Sequence, residues 1–192
     1  MGNPVTRGYQ SSSDLHFTVD MNNLSRSITQ WRHLEIAYDK GVRKGIEEVA
    51  DRLKDKIIFN LGKYGLANSE IAHSISVVDN GKGISVIIGS DYAIYVEYGT
   101  GVVGKTGKQH PKLKLGWVYD EGDNGERGWF YPTTQSDPNP NKHTYKGQLY
   151  GWTKGEESRP FLYDSWRWAR ASFTQIISKN VKAEVKKVRG VR

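Results

Sequence analysis

The sequence predicts an α+β domain, with a long N-terminal helix and a C-terminal helix packing an antiparallel β-sheet through long loops. Three observations carry this expectation. An apolar stripe at intervals of three and four runs through Leu34, Tyr38, Val42, Ile46, Val49, Leu53 and Ile57. Two β-branched runs flank a turn rich in Asp, Asn and Gly. A proline-led apolar series with helical spacing lies near the end of the chain.

Taken in order, residues Met1 to Ser13 have few large apolar side chains and read as a mobile arm. His16 to Asp20 alternates weakly, as a short first strand does. The first helix then carries Lys40, Arg43, Lys44, Glu47, Glu48, Asp51, Arg52, Lys54 and Asp55 on its outer face. Gly41 and Gly45 each weaken such a helix by about 1 kcal/mol relative to alanine. Standing one turn apart, they suggest that another element approaches closely. The helix is expected to stop near Asn60 to Gly62, with Gly62 as a left-handed cap. Ile71 to Val78 and Ile84 to Gly89 surround Asp79-Asn80-Gly81-Lys82-Gly83, the pattern of a β-hairpin. Tyr92 to Tyr98 reads as another extended piece or as a short helical turn, ended by Gly99-Thr100-Gly101.

From Val102 to Ser158 the chain is rich in loops. Leu115 to Tyr119 and Gly128 to Tyr131 flank Asp120 to Arg127 and suggest a second hairpin. Gln135 to Lys142 reads as a surface excursion and Gln148 to Thr153 as a further strand. Arg159-Pro160-Phe161 opens the last helix, where proline's missing donor costs nothing. Leu162, Trp166, Ala169, Phe173, Ile176 or Ile177, and Val181 continue it at helical intervals. The expected organisation is an arm at 1–13, one domain at 14–181 with loops at about 102–158, and a basic tail at 182–192.

With 192 residues, the chain has room for one core and too little for two. It contains no stretch of roughly 20 apolar residues and no apolar signal core at its start, so it is expected to stay where it is made. The absence of cysteine removes disulfides, thiolate nucleophiles and cysteine-based zinc sites together. The net charge of +7 makes an acidic partner, nucleic acid included, a reasonable expectation. Lys182, Lys186, Lys187, Arg189 and Arg192 concentrate part of that charge, whereas Asp120, Glu121, Asp123 and Glu126 form an acidic loop.

Motifs for catalysis are sparse. His16, His33, His73, His110 and His143 sit in separate segments without the i, i+4 spacing of paired metal ligands, and read as surface histidines. There is no G-x-S-x-G, and the acidic loop lacks the ladder of an EF-hand. Gly99, Gly104, Lys105 and Thr106 satisfy G-x-x-x-x-G-K-[ST] literally. A phosphate loop also needs a buried strand before it and a helix directly after it, and Pro111 follows closely. A flexible basic loop is the better reading. Trp166 and Trp168 cannot share one narrow stripe, so one should be core and the other should face a neighbour.

Two segments are recognisable. Gly89-Ser90-Asp91-Tyr92-Ala93-Ile94-Tyr95-Val96-Glu97-Tyr98-Gly99-Thr100-Gly101, followed later by Lys154-Gly155 and Arg159-Pro160-Phe161-Leu162, resembles the gene-product-ten-like tail components of tailed phages. The resemblance runs in order from about Asp20 to Val181; the departure is a long insertion-like stretch from Lys105 to Lys146. It implies a non-enzymatic virion protein without cofactors or metals: a tail-completion or neck subunit forming a ring between head connector and tail tube. A head-closure or tail-terminator ring protein is the alternative, and a monomeric basic nucleic-acid-binding module is another. Six copies are preferred over twelve. The expected partners are further copies, connector or head-completion proteins, the tail tube or its terminator, and DNA passing nearby. The expected location is the virion neck, after assembly in the host cytoplasm.

In physical terms, Tyr92, Tyr95 and Tyr98 bring amphipathic rings to one place, and Glu97 offers a charge for Arg159 to meet. With Phe161 and Trp168 they form the expected subunit interface. Lys105, Lys108, Lys112 and Lys114, with Lys182, Lys186, Lys187, Arg189 and Arg192, are the expected basic contacts to DNA or to acidic ring partners.

Overall fold

A computed structural model describes residues 21–113, 116–119 and 127–189. The arm, the strand expected at 16–20, Lys114, the acidic loop at 120–126 and Arg192 lie outside the described residues, as does the side chain of Arg189.

Helix α1 spans Met21–Gly62 and helix α5 spans Phe161–Arg189. The two run antiparallel: Asn60 Nδ2 donates to Ser165 Oγ at 2.8 Å at one end, and Lys44 Nζ meets Glu184 at 2.6 Å towards the other. Gly41 and Gly45 are the reason they come so close. A β-carbon at Gly41 would stand 2.5 Å from Val181 Cα, and one at Gly45 would stand 2.9 Å from Ile177 Cα. The expected close approach is therefore that of α5.

The cap of α1 differs from expectation. The left-handed residue is Gly65 (φ 74°), and Gly62 is still helical. The Leu66 amide reaches back to Leu61 O and the Gly65 amide to Gly62 O, both at 3.0 Å, the paired bonds of a Schellman ending. Ile71 is also not in a strand: Ser69 caps a single helical turn, α2 (Glu70–His73).

Strands β1 (Ile75–Asp79) and β2 (Ile84–Ile88) then form the expected hairpin, with Ile75 opposite Ile88. Asp79 Oδ1 accepts from the Gly81 amide and Asn80 Oδ1 from the Lys82 and Gly83 amides, which fixes the turn. Arg43 of α1 pairs with Asp79 and ties this turn to the helix. Tyr92 to Tyr98 resolves as helical, α3 (Ala93–Tyr98), and is followed by α4 (Gly101–Thr106).

The second hairpin pairs differently from expectation. Strand β3 (Trp129–Pro132) lies against β5 (Gln148–Thr153), with β4 (Lys142–Tyr145) on the other side of β5. Residues 117–119 are not a strand; Tyr119 O instead accepts from the Gly101 amide at 2.5 Å. The end of the expected excursion, Lys142, begins β4, and Lys146 and Gly147 turn it into β5, both at positive φ. Strand β6 (Gly155–Glu156) bridges back to Thr100 and Gly101. The class is α+β as expected, with the strands divided between a two-stranded and a three-stranded sheet.

The main apolar cluster sits where α1 ends and α5 begins. Ile57, Leu61, Ile71, Ile75, Val96 and Phe161 meet there, all buried. Elsewhere the buried positions between the helices are mostly small or polar, with Ile176 among them. On α5 the buried positions are Ser165, Ala169, Ile176 and Glu184; of the expected series Ala169 and Ile176 face inward, and Leu162, Trp166 and Phe173 face outward instead. Tyr38 of α1 is likewise exposed. At about 1.5 Å per residue, α1 outreaches α5, leaving its first turns, with Ile28 and Trp31, past the end of α5.

The buried Glu184 carboxylate receives both Lys44 and Lys187 at 2.6 Å. Lys187 and then Lys44 pull its pKa down from 4.5 to about 2 against the effect of burial. A depressed folded pKa means stability that is present above 4.5 and lost as pH falls towards 2. The melting temperature of the native chain should exceed that of Glu184→Gln at pH 6. Thermal melts should show this gap closing between pH 4.5 and 2; a gap that stays constant across that window would contradict the assignment.

Candidate functional site

The two recognisable segments meet in space. α3 is short and aromatic, and it places Val96 in the core and Glu97 beside the first turn of α5. Pro160 has no capping side chain to offer the amides that follow it. Glu97 supplies the missing acceptors. Oε2 accepts from the Leu162 amide at 2.8 Å, and Oε1 from the Tyr163 amide at 2.9 Å. His110 Nε2 lies 3.0 Å from the same Oε1, and both side chains are buried. Ser158 Oγ donates to Glu97 O at 2.6 Å, and the Arg159 amide donates to Val96 O at 2.9 Å.

The expected charge pair is therefore corrected. Glu97 meets the α5 amides and His110, while Arg159 pairs with Glu156 at 3.4 Å. The physical reason is burial: the helix N-terminus presents fixed donors inside the fold, where a guanidinium would be expensive to desolvate. Burial pushes the Glu97 carboxyl above its ordinary range, opposed by the bonds from Leu162, Tyr163 and His110. His110 is a buried histidine, not the surface one expected. The His33, His73 and His143 side chains are exposed as expected.

Rings enclose this clasp. Tyr98 lies 4.5 Å from His110 and 5.0 Å from Trp117, and Tyr163 meets His110 edge-on at 5.2 Å. Tyr95 and Tyr92 continue the series outward. The Tyr92 hydroxyl donates to Glu156 Oε1 at 3.1 Å. Burial also raises the Glu156 carboxyl, against the pull of Arg159. A polar depression of about 450 Å³ adjoins, lined by Tyr64, Lys108, Glu156, Glu157 and Arg159 among others. Both oxygens of Glu97 are occupied by donors within the fold, so the clasp holds α3 against α5 and presents no open carboxylate.

Of the residues expected at a subunit interface, Tyr92 and Tyr95 are exposed, and Tyr98, Arg159 and Trp168 are half-buried. Glu97 and Phe161 are buried inside the subunit, the latter because it closes the apolar cluster, so neither is open to a neighbour. The more exposed tryptophan of α5 is Trp166, at 47% exposure, with Arg170 over its ring at 5.5 Å. Leu162 and Phe173 lie on the same outward stripe, and Trp31 on α1 is 72% exposed.

The basic candidates fall into two groups. Lys105, Lys108 and Lys112 lie near the start of α5, where Lys108 O accepts from the Ser158 amide. Lys182, Lys186 and Lys187 lie towards its other end, roughly 30 Å away at 1.5 Å per residue. The Gly-rich motif is neither a flexible loop nor a phosphate loop. It follows helix α3 rather than a strand, and α4 packs its glycines against backbone. A β-carbon at Gly104 would stand 2.8 Å from Gly99 C, and Gly101 takes φ 59° beside Lys154 O.

Among the described residues no three His, Asp or Glu converge as metal ligands, and no helix is long and apolar enough to cross a membrane. No protein-family model matches the chain, and neither a curated protein nor a solved structure matches it.

Proposed function

We propose that this chain is a structural subunit of a tailed bacteriophage, a tail-completion or neck protein that forms a ring joining the head connector to the tail tube. It acts by shape and subunit contacts, without turnover. The observation that supports this most is the apolar surface turned outward on both long helices: Trp31, Leu162, Trp166 and Phe173. Large apolar side chains on a helix face away from their own core call for cover by another chain. The contact between the Tyr92–Tyr98 segment and the Arg159-Pro160-Phe161 segment also supports it, because the two motifs behind the family resemblance form one structural unit. A positive subunit, at +7 overall, suits a ring around a DNA path.

The reading is tested with the native chain and a Trp166→Asp/Phe173→Asp variant. Light scattering should give a defined oligomer, alone or with connector, and the variant should dissociate roughly thirty-fold more readily, the loss of a hot spot worth about 2 kcal/mol. Phage lacking the protein should accumulate separate heads and tails. A chain that is monomeric under all these conditions, from phage whose tails stay attached without it, would sink the proposal.

A further inference from the structure

The three-stranded sheet carries a second surface that assembly does not require. Residues paired across neighbouring strands share a side of a sheet. The pairs Phe130 with Trp152, His143 with Tyr150 and Tyr145 with Gln148 therefore gather five rings on one face. Phe130 is 57% and Tyr145 63% exposed, and Phe130 meets His143 edge-on at 5.6 Å. Between them lies an apolar depression of about 390 Å³ whose lining includes Phe130, His143, Tyr145 and Tyr150.

Among the described residues, the charged side chains set against these rings are positive. Lys146 lies 5.3 Å from the Tyr145 ring centre and Lys154 lies 5.8 Å from that of Trp152. Asp137 is the single acid between Arg127 and Gly155. Its carboxylate is held by Tyr131, Thr133 and the Asn139 amide, and Tyr131 belongs to the opposite side of the sheet.

We propose that this face binds single-stranded nucleic acid, with bases stacked on Phe130 and Tyr145 and phosphates set against Lys146 and Lys154. Every base has a π face, so exposed rings hold a strand with little regard to sequence, and flanking lysines neutralise its backbone. A sugar ligand would call for carboxylates and amides, of which the described residues of this face offer Gln148. A purely apolar protein partner would leave the two lysines without a role. The proposal does not depend on the ring-forming role.

The test uses the full chain and a fluorescein-labelled oligothymidylate of about twelve nucleotides, read by anisotropy at two salt concentrations. Phe130→Ala and Tyr145→Ala should each weaken binding roughly tenfold with unchanged melting curves, since both side chains stand on the surface. Lys146→Ala and Lys154→Ala should each lower the salt slope by about one. Lys182→Ala/Lys186→Ala should leave the effect of the ring variants intact. The proposal is overturned if the native chain does not bind, or if the ring variants bind as the native chain does. It is equally overturned if the ring variants change the mass by light scattering in place of oligonucleotide affinity, which would make the face a protein contact.

Discussion

Valine in place of Gly41 is expected to cost about 3 kcal/mol of folding stability, seen as a fall of roughly 10 °C in melting temperature for a chain of this size. The intrinsic preference of a helix argues for the opposite sign, since alanine in place of an interior glycine gains about 1 kcal/mol. Packing decides between them. The added β-carbon at Gly41 would lie 2.5 Å from Val181 Cα, 3.0 Å from Val181 N and 3.1 Å from Asn180 O, all of them backbone atoms. A side chain can rotate away; a neighbouring helix backbone must move as a whole. Separating α1 from α5 would also strain the contacts of Glu184 with Lys44 and of Asn180 with Glu48. Even Gly41→Ala should therefore destabilise, and Gly45→Ala as well. Gly62→Ala is the control, because its nearest neighbour, Ala67 Cβ, is 3.6 Å away and propensity alone should govern. Thermal melts followed by circular dichroism give all four values. Stabilisation by Gly41→Ala would mean that the helices are not in this contact.

The same contact explains what sequence periodicity could and could not reveal. The existence of both helices and the reason for Gly41 and Gly45 were legible, because spacing and glycine placement are local signals. The buried face of α5 was legible only in part: Ala169 and Ile176 are buried as the helical series expects, whereas Leu162, Trp166 and Phe173 are not. Periodicity assumes that the largest apolar side chains point inward, yet Gly41 and Gly45 let the α5 backbone itself, at Val181 and Ile177, come against α1. Between the two helices α5 buries Ser165, Ala169, Ile176 and Glu184, with polar atoms matched across the pair by Asn60, Glu48 and Lys44. Leu162, Trp166 and Phe173 keep their helical interval on the outer side. Strand partners were illegible for another reason: Trp129 pairs directly with Thr153 although β4 lies between them in sequence, and nothing in either segment encodes that choice. The clasp had one readable sign. A helix that opens with Arg-Pro-Phe has no local N-cap, so its first amides need an acceptor from elsewhere, and Glu97 stands alone as a carboxylate in an aromatic segment.

Removing that acceptor should have the largest effect of any change at the candidate site. Glu97→Ala takes away the partner of the part-buried Leu162 and Tyr163 amides and of the buried His110 Nε2 at once. Leaving such donors unpaired costs about 1–3 kcal/mol each, so a total of about 4 kcal/mol is expected, enough to threaten a domain of ordinary stability. Glu97→Gln keeps the shape and one acceptor oxygen, and should lose roughly half as much. Denaturant unfolding measures both. The pH dependence provides a further check, because burial raises the Glu97 pKa above 4.5 whereas that of Glu184 is lowered. A raised folded value contributes stability that is complete below 4.5 and declines as pH rises through it. The stability gap between the native chain and Glu97→Gln should thus narrow with rising pH, opposite in sign to the gap for Glu184→Gln. A small loss from Glu97→Ala would mean that the α5 amides are satisfied elsewhere and that α3 is not clasped to α5 by this carboxylate.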